Sequence, residues 1–528
     1  MELLAALLLS ALVVVASALW FVQIALSPTI PIKGKTNVPG NPLGRTWPII
    51  GDGLIFLGIW NMEGFMDLLD RILKASSNSV VSLWIGAKLV IFVKDPEITE
   101  TITNSPKASN KDRDFYKAFA YFSDGFFAKN GKEWADMRKR ADVELPPKHV
   151  DKYLNIFDTK FKLLCDEVDR KVGKGTFDML DSMKHLAVDI LLESLYGVPS
   201  DQFTNNTMDF PVYSVRAIEL IFLQMMKIEY RVSWLFPFLA GGRESKSIKK
   251  NVHIMTKYIV DSRNEEFAKT GIYPGDPHFV PANYADAVLQ YGKSKNWSDV
   301  DLDALLDVLV AGADTTAMVT SALSLYLAMY PEYQEKAYQE QIEVMGDSLD
   351  APSIGDLAKM SYLNMVFNET LRIAGVPAYI RVLTSEIRAG GYIFPEGSCV
   401  LFAIRDMMKN SKYWERPDEF YPDHFCPEMV EKRPKGVFLP FSSGPRSCAG
   451  KNYAEISCKV GFSMLLRRFR FTTNLKFEEL TYKYMLLTEC AQGYPVEAIR
   501  RPIKTWTPLE LRKTSPHQEW SKTKIIQN

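Results

Sequence analysis

The chain opens on an apolar run. From Leu3 to Leu26 only Ser10, Ser17 and Gln23 interrupt it, and about 20 such residues suffice to cross a bilayer as a helix. Glu2 precedes the run, whereas Lys33, Lys35 and Arg45 follow it. This charge bias predicts a single transmembrane anchor over residues 1–27, with the rest of the chain on the cytosolic side. A cleaved leader would have a shorter apolar centre and its basic residues ahead of it. Val38-Pro39-Gly40-Asn41-Pro42 and Trp47-Pro48 then predict a stiff hinge over residues 28–52, because proline and glycine restrict and turn the chain.

Beyond the hinge the pattern alternates between short and long periods. Val80–Trp84 and Leu89–Val93 read as strands around Gly86-Ala87-Lys88, and Asp95-Pro96-Glu97 reads as a helix start. Asn110 to Asp124 is rich in Phe and Tyr without clean periodicity, so no element is predicted there. Glu219 to Leu239 is apolar, but Pro237 and Gly241-Gly242 end its aromatic part, Trp234 to Leu239, in a loop. Long helical runs span Asp303 to Tyr330 and Tyr362 to Ile373, and another begins at Lys451. Met485 to Ala491 reads as a core strand. The segment 505–528 is a polar tail.

Composition narrows the class. Of 528 residues, 47% are hydrophobic, enough for a sizeable core, and Lys+Arg equals Asp+Glu at 63 each. That balance excludes a general nucleic-acid binder, which carries a basic excess. The six cysteines, Cys165, Cys399, Cys426, Cys448, Cys458 and Cys490, form no C-x-x-C pair, which fits a reducing compartment. The N-x-Ser/Thr triplets at Asn205, Asn296 and Asn368 are expected to stay bare in a cytosolic domain.

The chemistry gathers on Phe441-Ser442-Ser443-Gly444-Pro445-Arg446-Ser447-Cys448-Ala449-Gly450. Gly444 and Gly450 would let backbone approach a flat cofactor. Arg446 and the N-terminus of the following helix are expected to lower the thiol pKa of Cys448. Upstream, Trp134 and Arg138 share a helix face at i and i+4, as do Ala311 and Thr315. Gly312 inside its helix costs about 1 kcal/mol against alanine, and room for a ligand is a candidate offset. Asp314 beside Thr315 joins a carboxyl to a hydroxyl, a pairing able to pass protons. Glu369 and Arg372 lie at i and i+3.

The loop residues Phe441, Gly444, Arg446, Cys448 and Gly450 fit the pattern Phe-x-x-Gly-x-Arg-x-Cys-x-Gly. On these residues the chain resembles the cytochromes P-450, the haem-thiolate monooxygenases, of microsomal eukaryotic type. Ala311-Gly312-x-Asp314-Thr315-Thr316, Trp134-x-x-x-Arg138 and Glu369-x-x-Arg372 extend the match. Asp95-Pro96-Glu97, Glu133-Trp134 and Phe441–Arg446 are most similar to the branch that includes fatty-acid ω-hydroxylases. The resemblance implies a mainly α fold with smaller β-sheets, as one catalytic domain over residues 53–504. It implies haem b ligated axially by the Cys448 thiolate. Trp134, Arg138, Arg381 and Arg446 would serve the propionates, and Ala311, Gly312, Phe441 and Gly450 would line the haem. Asp314 and Thr315 would be catalytic, passing protons during oxygen activation. Glu369 and Arg372 would be a buried structural pair.

The resemblance also marks departures. His424 stands where the family has an arginine in Phe420-Tyr421-Pro422-Asp423-His424-Phe425, and histidine lacks the guanidinium fork and its permanent charge. Ala311 stands where some members of the branch carry a haem-attaching glutamate, so that ester cannot form here. Leu371–Pro377 lacks the usual proline pair. No G-x-G-x-x-G fingerprint stands between a strand and a helix, and the stretch after Gly450 is too short for a fused flavoprotein. Electrons are therefore expected from a separate NADPH-cytochrome P-450 reductase, with cytochrome b5 as a further partner, docking near Arg138, Lys139, Arg140, Lys451 and Lys459. The expected reaction inserts one atom of O2 into a lipophilic substrate (a fatty acid, terpenoid, steroid or xenobiotic) at the endoplasmic reticulum membrane. The alternatives are a haem-thiolate isomerase or dehydratase, and a non-catalytic haem-binding protein.

Overall fold

The computed structural model describes residues 32–502 except 45, 48–50, 57, 58, 60, 146–150, 201–209, 228, 229, 231, 233, 299 and 300; before these it describes only 10, 11, 14 and 15. The expected anchor, apart from those four residues, the tail from 505 and the triplet at Asn205 lie outside the described residues.

Among the described residues, nine helices frame the site. They are α1 (Arg113–Phe122), α2 (Gly131–Glu144), α3 (Leu154–Lys171), α4 (Met179–Leu195), α5 (Phe210–Met226), α6 (Ala240–Thr270), α7 (Leu306–Met329), α8 (Ser361–Ala374) and α9 (Lys451–Arg468). The organising element is α7. It packs along α4 and against α8 and α9, while α3 closes on α4 and α9. From Thr316 to Ala328 it is buried on every side, as an all-round apolar helix must be. Its hydroxyls turn inward on the helix itself: Ser321 donates to Ala317 O at 2.7 Å and Ser324 to Thr320 O at 3.0 Å. Among the described residues α7 is the one helix long and apolar enough to cross a membrane, and its place in the core accounts for that composition. It starts three residues later than the helical pattern predicts, because Asp301–Leu305 forms a 3-10 turn first.

Helix α1 occupies the aromatic stretch where no element is predicted. Asp112 caps it by accepting from Phe115 N at 2.9 Å. Phe119 meets Phe127 at 5.1 Å between ring centroids and Phe222 of α5 at 6.3 Å. Arg113, Asp114, Lys117 and Tyr121 form its exposed face and Tyr116, Ala118 and Phe122 its buried one, so the helical period is present; the aromatic Tyr121 on the wet side blurs it.

A four-stranded sheet carries the second layer. It comprises β1 (Val80–Ile85), β2 (Lys88–Val93), β3 (Tyr379–Val382) and β4 (Cys399–Phe402), in the order β1-β2-β4-β3. β2 and β4 are parallel, with Val90 opposite Cys399; the other pairs are antiparallel. All of β3 and β4 is buried, so the Arg381–Val400 register buries Arg381 as well. Pro39 of the hinge lies on this sheet: Ser82 N donates to its carbonyl at 2.7 Å. Near the C-terminus β5 (Tyr482–Tyr484) and β6 (Thr488–Cys490) form a hairpin joined through Met485–Leu487. The mainly α architecture with small sheets agrees with the expected fold class.

Candidate haem-thiolate site

The cysteine loop is a closed turn. Cys448 N donates to Phe441 O at 2.9 Å, and residues between them include a 3-10 turn, Gly444–Arg446. Gly444 takes a left-handed φ of 70°, and a Cβ there would lie 1.9 Å from Thr103 O. This glycine is therefore demanded by the approach of the Thr103–Asn104 backbone rather than by a cofactor. Beside Gly450 the space is open, with nothing within 4 Å of a Cβ built there. Gly450 caps α9, and Ala454 N donates to its carbonyl at 2.8 Å.

Cys448 keeps accessible surface while protein surrounds its sulfur closely enough that burial pushes the thiol above its ordinary value. The two facts agree if that surface opens on an interior cleft. The Gly450 N–H and the Arg138 charge pull the thiol down, but burial outweighs them. This overturns the expectation of a lowered thiol pKa: a short helix-end field and one cation cannot offset dehydration of the anion. A bound metal would reverse the balance, because a coordinating thiol is deprotonated outright. Nor is Arg446 the main cation at the sulfur; its guanidinium turns away.

Helix α7 supplies a facing surface. Val308, Ala311, Gly312 and Thr315 are half-buried on a helix whose Leu309, Ala313, Thr316 and Ala317 are buried. These four positions form one stripe at helical spacing. Cys458 of α9 touches Thr316 O at 4.0 Å. The N-terminal end of α9, where Cys448 sits, is about 10 Å along the helix axis from that contact. Gly312 is explained differently from expectation: its absent Cβ would stand 3.2 Å from Leu191 Cδ1, so close packing of α7 on α4 offsets its cost.

Buried cations converge on the same region. Arg381 is 2% exposed; it donates to Ile380 O at 2.8 Å and Ser442 Oγ at 3.0 Å, and its Nε has no partner. Arg446 donates to Ser109 O at 2.6 Å, Phe126 O at 3.3 Å, and Lys129 O and Asn130 Oδ1 at 2.6 and 2.9 Å. Its guanidinium lies 4.0 Å over the Trp134 ring, so Trp134 and Arg446 brace each other. Arg138, four residues on, joins α2 to the loop through Ser447 O and pairs with Asp142 at 2.7 Å. Lys111, which the sequence reading missed, places Nζ 3.5 Å from the Phe127 ring centroid and 4.3 Å from that of Tyr116.

Among the described residues, no carboxylate pairs with Lys111, Arg381 or Arg446. Burial lowers the pKa of all three, Arg446 to about 9 and Lys111 well below its usual value, with Arg381 and Arg446 adding repulsion at Lys111. Uncompensated buried charge is costly. A half-buried stripe on α7, an accessible thiol and three buried cations lacking carboxylates fit a flat macrocycle with two carboxylates. A lone lysine carries no spacing signal, which is why Lys111 escaped notice.

The proton-handling residues separate. Thr315 Oγ1 donates to Ala311 O at 2.7 Å, on the cleft stripe. Asp314 turns into a small cavity with Lys184, Val188 and Ser214. Burial raises its carboxyl to about 6, partly offset by the Lys184 charge. A larger cavity adjoins Ala311. Phe119, Phe122 and Phe127 roof it, Ile218 and Ile221 of α5 wall it, and Leu486 of the hairpin closes it. Its polar lining residues are Ser123, Ser214 and Asp307. Asp307 is already engaged, accepting from Ser123 Oγ at 2.6 Å and Phe127 N at 2.8 Å. Segments 110–124 and 485–491 thus both border this cavity.

Beneath the loop, Glu369 and Arg372 are wholly buried and paired twice, Nη2 to Oε1 and Nε to Oε2, each at 2.8 Å. Arg372 also donates to Met408 O, Pro417 O and Glu419 O at 2.7 to 2.9 Å. One ion pair therefore pins the whole 408–421 segment to α8. Of the expected docking residues, Lys139 and Lys451 are exposed. Arg140, however, stacks on Tyr291 at 4.4 Å, and Lys459 donates to Asn364 Oδ1 at 2.6 Å.

The model of the cytochrome P450 family matches residues 42–489. The chain belongs to the cytochrome P450 family. This P450 is similar to cytochrome P450 4c21 of Blattella germanica, 25% identical over 485 residues that cover 90% of this chain and 92% of the relative. It is equally similar to cytochrome P450 4V2 of Mus musculus, 25% identical over 474 residues, covering 87% and 89%. Cytochrome P450 4g1 of Drosophila melanogaster is 26% identical over 511 residues, covering 89% and 90%. The P450 is thus an oxidoreductase of the monooxygenase class, with haem held by a cysteine thiolate, and it acts on O2 and a lipophilic substrate with redox partners.

Proposed function

We propose that this P450 is a membrane-anchored hydroxylase in which Cys448 ligates haem b and Lys111, Arg138, Arg381 and Arg446 answer its two propionates. The observation that carries the reading is the set of three buried cations lacking carboxylates, Lys111, Arg381 and Arg446, gathered near an accessible thiol. The haem would supply oxygen reduction and the transfer of one oxygen atom into a C–H bond, the other leaving as water. The chain's own part is to bind, dry and orient the substrate and to move protons. The aromatic roof and the α5 wall exclude water above Ala311. Thr315 spends its proton on Ala311 O, so its oxygen remains an acceptor toward the cleft. Asp314 reaches the helix's other side, where Lys184 and Ser214 border a path for proton exchange.

The same reading covers the parts beyond the site. The anchor over 1–27 would place the domain on the cytosolic face of the endoplasmic reticulum membrane, ahead of the hinge and the catalytic domain over 53–504. Trp234 and Phe238, 61% and 72% exposed, suit insertion into the interface. Lys139 and Lys451 suit docking of NADPH-cytochrome P-450 reductase or cytochrome b5, whose attraction would weaken with salt. The apolar cavity favours fatty acids, terpenoids, steroids or hydrophobic xenobiotics. With purified reductase, NADPH oxidation coupled to a hydroxylated product from a lipid and xenobiotic panel is the expected result. Product formed without NADPH would move the assignment to an isomerase or dehydratase.

Asp314 provides a sharper test. A carboxyl raised to about 6 is in its donor form below that pH and loses it above. Turnover limited by proton delivery is expected to decline as pH rises through about 6 to 7 with saturating reductase. Asp314→Asn is expected to lower kcat on the order of 10²-fold and to remove that decline. An unchanged pH profile in the variant would exclude the role.

A further inference from the structure

His424 is 1% exposed, and both ring nitrogens meet acceptors. Nδ1 faces the Glu369 carboxylate, 3.2 Å from Oε1 and 3.1 Å from Oε2. Nε2 faces the carbonyl oxygen of Glu415. Neither partner can donate. The carboxylate also accepts from Arg372 Nε, Arg372 Nη2 and Tyr421 N, each at 2.8 Å, so donors already surround it. A neutral imidazole has one protonated nitrogen and one bare lone pair. Whichever tautomer it took, that lone pair would face an oxygen lone pair in a dry interior. Only the doubly protonated ring satisfies both contacts.

We propose that His424 is a positioning residue that works as an imidazolium, and that its proton is a removable pin in the brace under the cysteine loop. The ring ties Glu415 to Glu369 and so fastens the 415–424 turn onto α8. Arg372 fastens the same segment through carbonyls from Met408 to Glu419. The chain then runs through Phe438 to the loop at Phe441. Where a guanidinium would hold this place at any physiological pH, an imidazole holds it only while charged.

The neighbours set a fine balance. From α8 come Glu369, which favours the proton, and Arg372, which opposes it. Arg433 donates to His424 O and stacks on Trp414 at 4.1 Å, with Nη1 unpartnered. Its pKa is lowered to about 10, chiefly by burial, so it is a second opposing cation. Asp423 is drawn off toward Lys336 at 3.9 Å. The rings of Trp414 and Tyr421 meet the imidazole edge-on at 5.3 and 5.1 Å and exclude water. One carboxylate thus faces Arg372 and the imidazole, with Arg433 close by.

The sign follows directly. The contribution of a group that must be charged as an acid is present at low pH and is lost as pH rises. Thiolate protonation would damage the site in the opposite direction. The test compares wild type, H424R and H424Q as haem-loaded proteins between about pH 6 and 8.5, the range in which an imidazole changes charge. The readouts are haem release to apomyoglobin, the thiolate band of the reduced CO complex, and Tm. Wild type is expected to lose haem several-fold faster, and to melt lower, at the alkaline end. H424R is expected to be flat with pH. H424Q, with one donor and no charge, is expected to release haem faster than wild type at pH 6 and also to be flat. An alkaline limb of equal size in either variant would overturn the proposal, as would its absence in wild type. The band readout rests on the Cys448 assignment proposed above. If that assignment fails, the thiolate band is missing at every pH, whereas the Tm comparison still decides the role of His424.

Discussion

Cys448→Ala is expected to abolish the thiolate band of the reduced CO complex and all turnover, while leaving the protein folded. The two halves of this expectation have different causes. Activity depends on a sulfur ligand able to push electron density into the iron, and among the described residues Cys448 is the one exposed cysteine; Cys165, Cys399, Cys458 and Cys490 are buried and Cys426 is half-buried beside His424. Stability depends on packing, and the Cys448 side chain borders the open cleft rather than filling the core. Its backbone closes the loop by donating to Phe441 O, a bond alanine keeps. Far-UV circular dichroism should therefore match wild type while the spectrum does not. A variant that retained the band would remove Cys448 from its proposed role.

Glu369→Gln is expected to be more damaging to the scaffold than any change at the cleft. Arg372 and His424 would each keep a buried positive charge with its counterion gone, and Tyr421 N would compete for one remaining acceptor. Breaking one side of a buried pair typically costs about 3–5 kcal/mol. That is a large share of the about 5–15 kcal/mol by which domains are stable. The expected result is little haem-loaded protein and a markedly lower Tm, with proteolysis entering first between residues 408 and 424. A melt within about 1 kcal/mol of wild type would show that the brace contributes little. His424→Arg, which keeps a positive charge beside Glu369, should be far milder, so the two variants separate loss of the anion from disturbance of the turn.

Much of the site was legible along the chain. The cysteine loop, the Ala311–Thr315 spacing and the Glu369–Arg372 spacing are local patterns, and each pair or loop sits where its spacing puts it: on a tight turn, on one stripe of α7 and on one face of α8. The β1–β2 hairpin was legible for the same reason, since apolar runs on both sides of Gly86-Ala87-Lys88 need only each other. Helix α1 was not, although Arg113, Asp114, Lys117 and Tyr121 mark an exposed face, because an aromatic ring at Tyr121 interrupts the polar pattern there. Lys111 was not, because its meaning lies in Arg381 and Arg446, hundreds of residues away in sequence and within electrostatic reach in space.

What the sequence determined alone was therefore the reaction class: a thiol in a glycine-rich loop, an acid beside a hydroxyl on a helix, and a carboxylate three residues before an arginine. Tertiary structure decided what each charge does. It turned Arg446 away from the sulfur toward Trp134 and the 109–130 carbonyls, explained Gly312 by Leu191, and raised the Cys448 thiol where a helix end and a cation had suggested the reverse. It also gave His424 two acceptors and hence a required charge. The physical reason is common to all of them. Motifs record which groups are present, but burial and long-range neighbours set the energy of a charge, and those exist only once the chain has folded.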